Sequence, residues 1–101
     1  MDVYVVVECM GDEELDDIVI KVSISAYHAV AAAYSNMGED DRNELFVSTY
    51  NWNHNRPKSI GRLEIIRLIE VGGIGSGGET EVHLTSMRRG KSVTIWRLPI
   101  T

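Results

Sequence analysis

Three glycines, Gly73, Gly75 and Gly78, stand at the spacing GxGxxG. That pattern binds a pyrophosphate when it closes a strand and opens a helix, because bare backbone can approach the ligand and the helix N-terminus points amides at it. Here ETEVHLTSM follows, alternating as a strand does, so the glycines read as a hairpin loop. Gly90, Lys91 and Ser92 repeat the GKS end of a phosphate loop, but the position five residues before Gly90 is Thr85, where that loop requires glycine. A tight turn with a basic tip, Arg88, Arg89 and Lys91, accounts for the same residues.

The titratable residues give no stronger signal. His28, His54, His83 and Cys9 share no spacing that would gather a zinc ion or pair a nucleophile with a base. Cys9 follows the valines 5–7 and fits a small buried hydrophobe; as the single cysteine it excludes an internal disulfide. A reducing compartment follows, and with no export signal or apolar span the expected location is the cytoplasm, that of a host if the chain is viral. The run Asp12, Glu13, Glu14, Asp16 and Asp17 offers oxygens to a hard cation but lacks the spacing and internal glycine of a calcium loop. The expectation is a non-enzymatic protein with no catalytic residue, no metal and no cofactor.

Recognition chemistry is better represented. In residues 49–58, TYNWNHNRPK, Tyr50 and Trp52 offer stacking faces, three asparagines offer amides, and Arg56 and Lys58 offer charge. Single-stranded nucleic acid or a protein groove is gripped by such mixtures. Charge is unevenly distributed along the chain. Residues 1–50 hold eleven Asp or Glu against Lys21 and Arg42, a formal −9, and residues 51–101 hold eight Lys or Arg against four Glu, a formal +4. Such asymmetry steers association.

These residues need a scaffold, and 101 residues with 44% hydrophobic content suit one domain. Residues 3–9 are β-branched and aromatic, and residues 18–24 alternate, which predicts an opening hairpin around the acidic loop 11–17. Ser25 as N-cap and Gly38 past the end bracket a helix over residues 26–37, with Ala26, Ala29, Val30, Ala33 and Met37 on one stripe and Tyr27, His28, Tyr34 and Ser35 elsewhere. A strand is expected over about residues 45–52, an exposed loop over 53–61, and a strand over 62–71, where three isoleucines and a valine outweigh a helical stripe. A final hairpin turns at Gly90, and alternation sends one of Trp96 and Arg97 inward and the other outward. The predicted fold is α+β: a largely antiparallel sheet of five to six strands with one helix on one face, in the order ββαββββ.

Two functional readings follow. In the first, the chain is an interaction module whose acidic residues, Asp12, Glu13, Glu14, Asp16 and Asp17 with Glu39, Asp40, Asp41 and Glu44, cover a basic, nucleic-acid-binding surface of a partner protein, with Tyr27 and Trp52 as aromatic anchors. In size and acidic clustering the chain resembles the small inhibitor proteins that bacteriophages and mobile elements use against host defences, anti-CRISPR proteins among them. In the second, Arg56, Lys58, Arg62, Arg88, Arg89 and Lys91 contact nucleic acid directly, against an overall charge of −5 that opposes phosphate binding. Homo-oligomerisation is compatible with both, since the acidic half of one copy can meet the basic half of another.

Overall fold

Five of the β-branched segments form strands, in an order that roughly follows the one the alternation predicts. The computed structural model describes residues 2–10, 18–38, 41–50, 53, 56–71, 74–75, 77–86 and 91–100, with Met10 and Lys91 as backbone only. Along the chain run β1 (Asp2–Met10), β2 (Ile18–Ser23), α1 (Ala26–Met37), a 3₁₀ turn (Asp41–Asn43), β3 (Leu45–Thr49), α2 (Arg62–Val71), β4 (Thr80–Ser86) and β5 (Lys91–Pro99). The strands make one antiparallel sheet in the order β2-β1-β5-β4-β3. The fold is α+β, as expected from the sequence.

Register carries one apolar face across the sheet. Val6 lies opposite Ile95, Ile95 opposite Val82, and Leu84 opposite both Val93 and Val47; all are fully buried. Ala29, Val30 and Ala33 of α1 and Ile65, Ile66 and Ile69 of α2 join them in one core. Small alanines let α1 pack across β1, β2 and β5, while α2 lies over β4 and β5. Both helices therefore cover the same face, and among the described residues the opposite face carries no helix.

The end signals of α1 work as read. Ser25 Oγ accepts from the His28 amide, and Gly38 leaves the helix at φ 76°, ψ 157°, a conformation essentially restricted to glycine. Residues 62–71, expected as a strand, are instead helical. Burial explains the difference: Ile65, Ile66 and Ile69 recur at helical spacing and reach α1 and β4 together, which outweighs the β-propensity of isoleucine. The sheet accordingly has five strands, and a second helix joins the first.

Strand β3 stops at Thr49, short of the expected end, and residues 51–52 lie outside the described residues. The loop expected over 53–61 does more than connect. Lys58 exchanges both backbone hydrogen bonds with Leu45, at 2.9 and 3.0 Å, Asn53 bridges Ser48, and Ile60 is buried. This return seals the outer edge of β3 against further strand pairing. Near the C-terminus Arg97 points to the helix-bearing side, where it donates to the Glu70 carbonyl at 2.8 Å and to Thr80 Oγ1 at 3.0 Å, and Trp96 points to the open side. Arg97 thereby satisfies one of the orphan carbonyls in the last turn of α2.

Candidate functional site

Strand order decides where the charges go. Strand β1 ends at Met10, paired with Lys91, where β5 begins; β2 begins at Ile18, and Ser86 ends β4 opposite Leu45, where β3 begins. Three connections therefore meet the sheet at one end: residues 11–17 join β1 to β2, residues 87–90 join β4 to β5, and residues 39–44 lead from α1 into β3. Asp12, Glu13, Glu14, Asp16, Asp17, Glu39, Asp40, Arg88 and Arg89 lie outside the described residues, but their described neighbours all stand at that end. By sequence, the segments 11–17, 39–44 and 87–90 that meet this end, with Glu8 and Lys91, carry ten carboxylates and four cations, a formal −6, and the rest of the chain carries +1. The two sequence halves do not form two separate surfaces, because β4 and β5 of the basic half stand between β1 and β3 of the acidic half. What remains is one end whose connections are acidic in sum by sequence.

Not every acidic residue there faces water. Asp41 is 5% exposed and its Oδ1 accepts a 2.7 Å hydrogen bond from Ser86 Oγ, which pins the 3₁₀ turn to the end of β4. Asp41 therefore anchors the corner rather than presenting a carboxyl to a partner, and Glu44 is exposed beside it. Arg42 completes the anchor: its Nε donates to the Tyr34 carbonyl at 2.8 Å and its guanidinium lies 4.3 Å from the Tyr34 ring centre. One bond satisfies a carbonyl in the last turn of α1, and the stack adds a cation–π attraction. Arg62 approaches the same ring from α2, at 5.8 Å.

Beside that stack lies the seam between α1 and α2. A groove of about 370 Å³ opens between them, lined by Tyr27, Ala31, Arg62, Leu63 and Ile66. Ala31 is short enough to leave the space, and Tyr27 and Leu63 stand at its sides 65% and 71% exposed. An aromatic ring, a leucine and an arginine around a concavity are side chains that carry binding energy at protein interfaces. Sequence reasoning selected Tyr27 but missed Leu63 and Ile66, because their segment was read as a strand; the spacing of Arg62, Leu63 and Ile66 was the signal.

The other expected residues scatter. Arg56 is exposed, Lys58 pairs with Glu64 at 3.4 Å, Arg62 joins the groove, and Trp52 and His54 lie outside the described residues. Nothing gathers the six proposed nucleic-acid contacts into one described surface. Tyr50 donates its hydroxyl to Glu79 Oε1 at 3.2 Å; partial desolvation and this carboxyl raise the phenol above its ordinary value. A side chain at Gly75 would overlap the Glu79 carboxyl and crowd the Tyr50 ring, and β4 rather than a helix follows, so Gly75 and Gly78 serve a tight turn; Gly73 lies outside the described residues. His28 is exposed, and His83 Nδ1 lies 2.7 Å from Thr94 Oγ1 and 3.9 Å from Glu81 on the open sheet face. Among the described residues, no three His, Cys, Asp or Glu side chains gather to hold a metal ion, and no helix is long and apolar enough to cross a membrane. No protein-family model, curated protein or solved structure matches the chain.

Proposed function

We propose that the chain is a non-enzymatic interaction module that docks its acidic end on a basic surface of a partner protein, as a small inhibitor covering a nucleic-acid-binding site would. The observation that supports this reading is the topology: the connections that carry both acidic stretches attach to strands at one end of the sheet, and with Glu8, the 87–90 turn and Lys91 their sequence sums to a formal −6. Such a concentration raises the encounter rate with a cationic surface, while slow dissociation needs buried anchors. The groove beside Tyr27 and Leu63 supplies apolar side chains for that second task.

The test compares the wild-type chain with a variant in which Asp12, Glu13, Asp16 and Asp17 are all replaced by Lys, each immobilised and exposed to lysate with and without nuclease. A partner held at low salt, retained after nuclease and weakened at least tenfold by the reversal, about 1.4 kcal/mol, supports the reading. A partner indifferent to the reversal and to about 0.5 M salt removes it. Loss of all binding after nuclease replaces it with nucleic-acid contact through Arg56, Lys58, Arg88, Arg89 and Lys91.

A further inference from the structure

Strand β1 is apolar on both of its sides. Tyr4 and Val6 face the helices and the core, while Val3, Val5 and Val7 occupy the alternate positions on the helix-free side. In an antiparallel sheet with one wet face, strands alternate apolar and polar side chains; a strand apolar on both sides is the pattern of one covered on both sides. Register extends this to the neighbours: Val5 lies between Val22 and Trp96, Val7 between Val19 and Thr94, and Val3 opposite Leu98, so Thr94 is the one polar side chain among them. Val19 and Val22 are 57% and 59% exposed. An apolar patch three strands wide thus faces away from both helices.

We infer that this face packs against the same face of a second copy of the chain, forming a two-fold dimer with its sheets stacked and its helices outside. Shape favours a copy, because the natural complement of a twisted sheet is another sheet of the same twist, stacked about 10 Å away. Charge selects one stacking. Any two-fold axis along the strands brings both acidic ends together, and one along the central strand β5 also lays β2 over β3 of the copy. An axis across the strands lays β2, β1 and β5 over their own counterparts, apolar on apolar, and sends the acidic ends to opposite extremities. The second arrangement satisfies burial and repulsion at once. Glu81 and His83, on the outward side of β4, fall beside the apolar patch, where a polar rim belongs.

Size is sufficient. The whole face, five strands spaced about 4.8 Å apart with about six paired residues at about 3.4 Å, measures roughly 480 Å² per copy, of which β2, β1 and β5 with the apolar patch supply about 290 Å² and β4 and β3 the rest. Two such faces come to about 1,000 Å² before side-chain relief is added, the lower bound for a specific interface, and fit a dissociation constant on the order of micromolar. Edge-to-edge pairing is the competing route, and both edges resist it. The outer edge of β3 carries Lys58 and Asn53, and β2 places exposed Lys21 beside the register shift at Val6 and Val7.

Sedimentation equilibrium from about 1 to 200 μM tests the dimer, with the wild-type mass expected to rise from 11.3 kDa to twice that value. Val22→Lys and Trp96→Glu each raise the dissociation constant at least tenfold while far-UV circular dichroism stays unchanged. The Asp12, Glu13, Asp16 and Asp17 reversal leaves the dimer intact, which separates this face from the acidic end. A wild-type chain that is monomeric throughout the range overturns the inference. So does a dimer unmoved by both folded variants, and edge pairing would show itself by indifference to Trp96→Glu, two strands from the edge. Should Trp96→Glu fail to fold, Val22→Lys at its exposed edge position decides alone.

Discussion

Replacing Ser86 by Ala tests whether Asp41 holds the acidic corner in place or faces a partner. Ser86 is 2% exposed and Asp41 5%, and the 2.7 Å bond between them ties residues distant in sequence. Removing the hydroxyl leaves a buried carboxyl short of a donor, and an unsatisfied buried acceptor costs about 1–3 kcal/mol, the upper part applying to charged groups. We take about 2 kcal/mol as the expected loss. At about 4–8 °C per kcal/mol for a domain of this size, the melting temperature falls by about 8–16 °C. Replacing both residues by Ala removes donor and acceptor together, so a double-mutant cycle in urea should show a coupling of at least about 1 kcal/mol. If Ser86→Ala unfolds within about 0.5 kcal/mol of wild type, or the cycle is additive, the buried anchor is refuted. Partner capture by folded Asp41→Asn should match wild type, since that side chain is turned inward.

Two glycines should respond oppositely to a side chain. Gly38→Ala forces a Cβ into φ 76° and costs about 1–3 kcal/mol, whereas Gly61→Ser, which meets open space and supplies an N-cap oxygen where the Gly61 carbonyl already receives Ile65 N–H, stabilises by a few tenths of a kcal/mol; equilibrium denaturation reads both. Phenolate absorbance should place Tyr50 above the usual tyrosine range, assigned by difference from Tyr50→Phe, and Glu79→Gln should move it downward. A raised folded value favours the neutral phenol in the fold, so the stabilisation is full below the ordinary value near 10 and is lost as pH rises through the folded one. An unchanged titration in Glu79→Gln would exclude the contact as its cause.

The first hairpin, α1 with both of its ends, and the last hairpin were legible because each depends on neighbours in sequence: alternation over residues 18–24, Ser25 before the helix, Gly38 after it. Residues 62–71 were not, because β-propensity and helical spacing both fit and the arbiter was tertiary. Ile65, Ile66 and Ile69 bury together only as a helix against α1 and β4. Missing that helix hid half of the groove, leaving Tyr27 without Leu63 and Ile66. Burial of Asp41 was equally illegible, since its partner Ser86 is 45 residues away. Charge followed the same rule: counts along the chain located the acidic stretches, but strand order, a non-local property, set β5 and β4 between them.

The two proposed surfaces respond to salt in opposite ways, and this makes them separable in one preparation. Acidic docking is Coulombic and weakens as the Debye length shrinks from about 10 Å at 0.1 M to about 3 Å at 1 M. Sheet-face pairing removes apolar area from water and joins two chains that each carry −5, so screening relieves the repulsion and tightens the dimer. A two-fold axis across the strands also has a consequence for docking: it holds two acidic ends at opposite extremities, so a partner with two basic surfaces, or two adjacent partners, is bound bivalently. The second contact then proceeds at an effective concentration in the millimolar range, where the span allows it, and raises avidity by about 10²–10⁴ without any new contact. Val22→Lys, far from the acidic end, should therefore weaken capture on a densely loaded basic surface and leave one-to-one affinity untouched. Equal weakening of both would mean that the sheet face itself touches the partner.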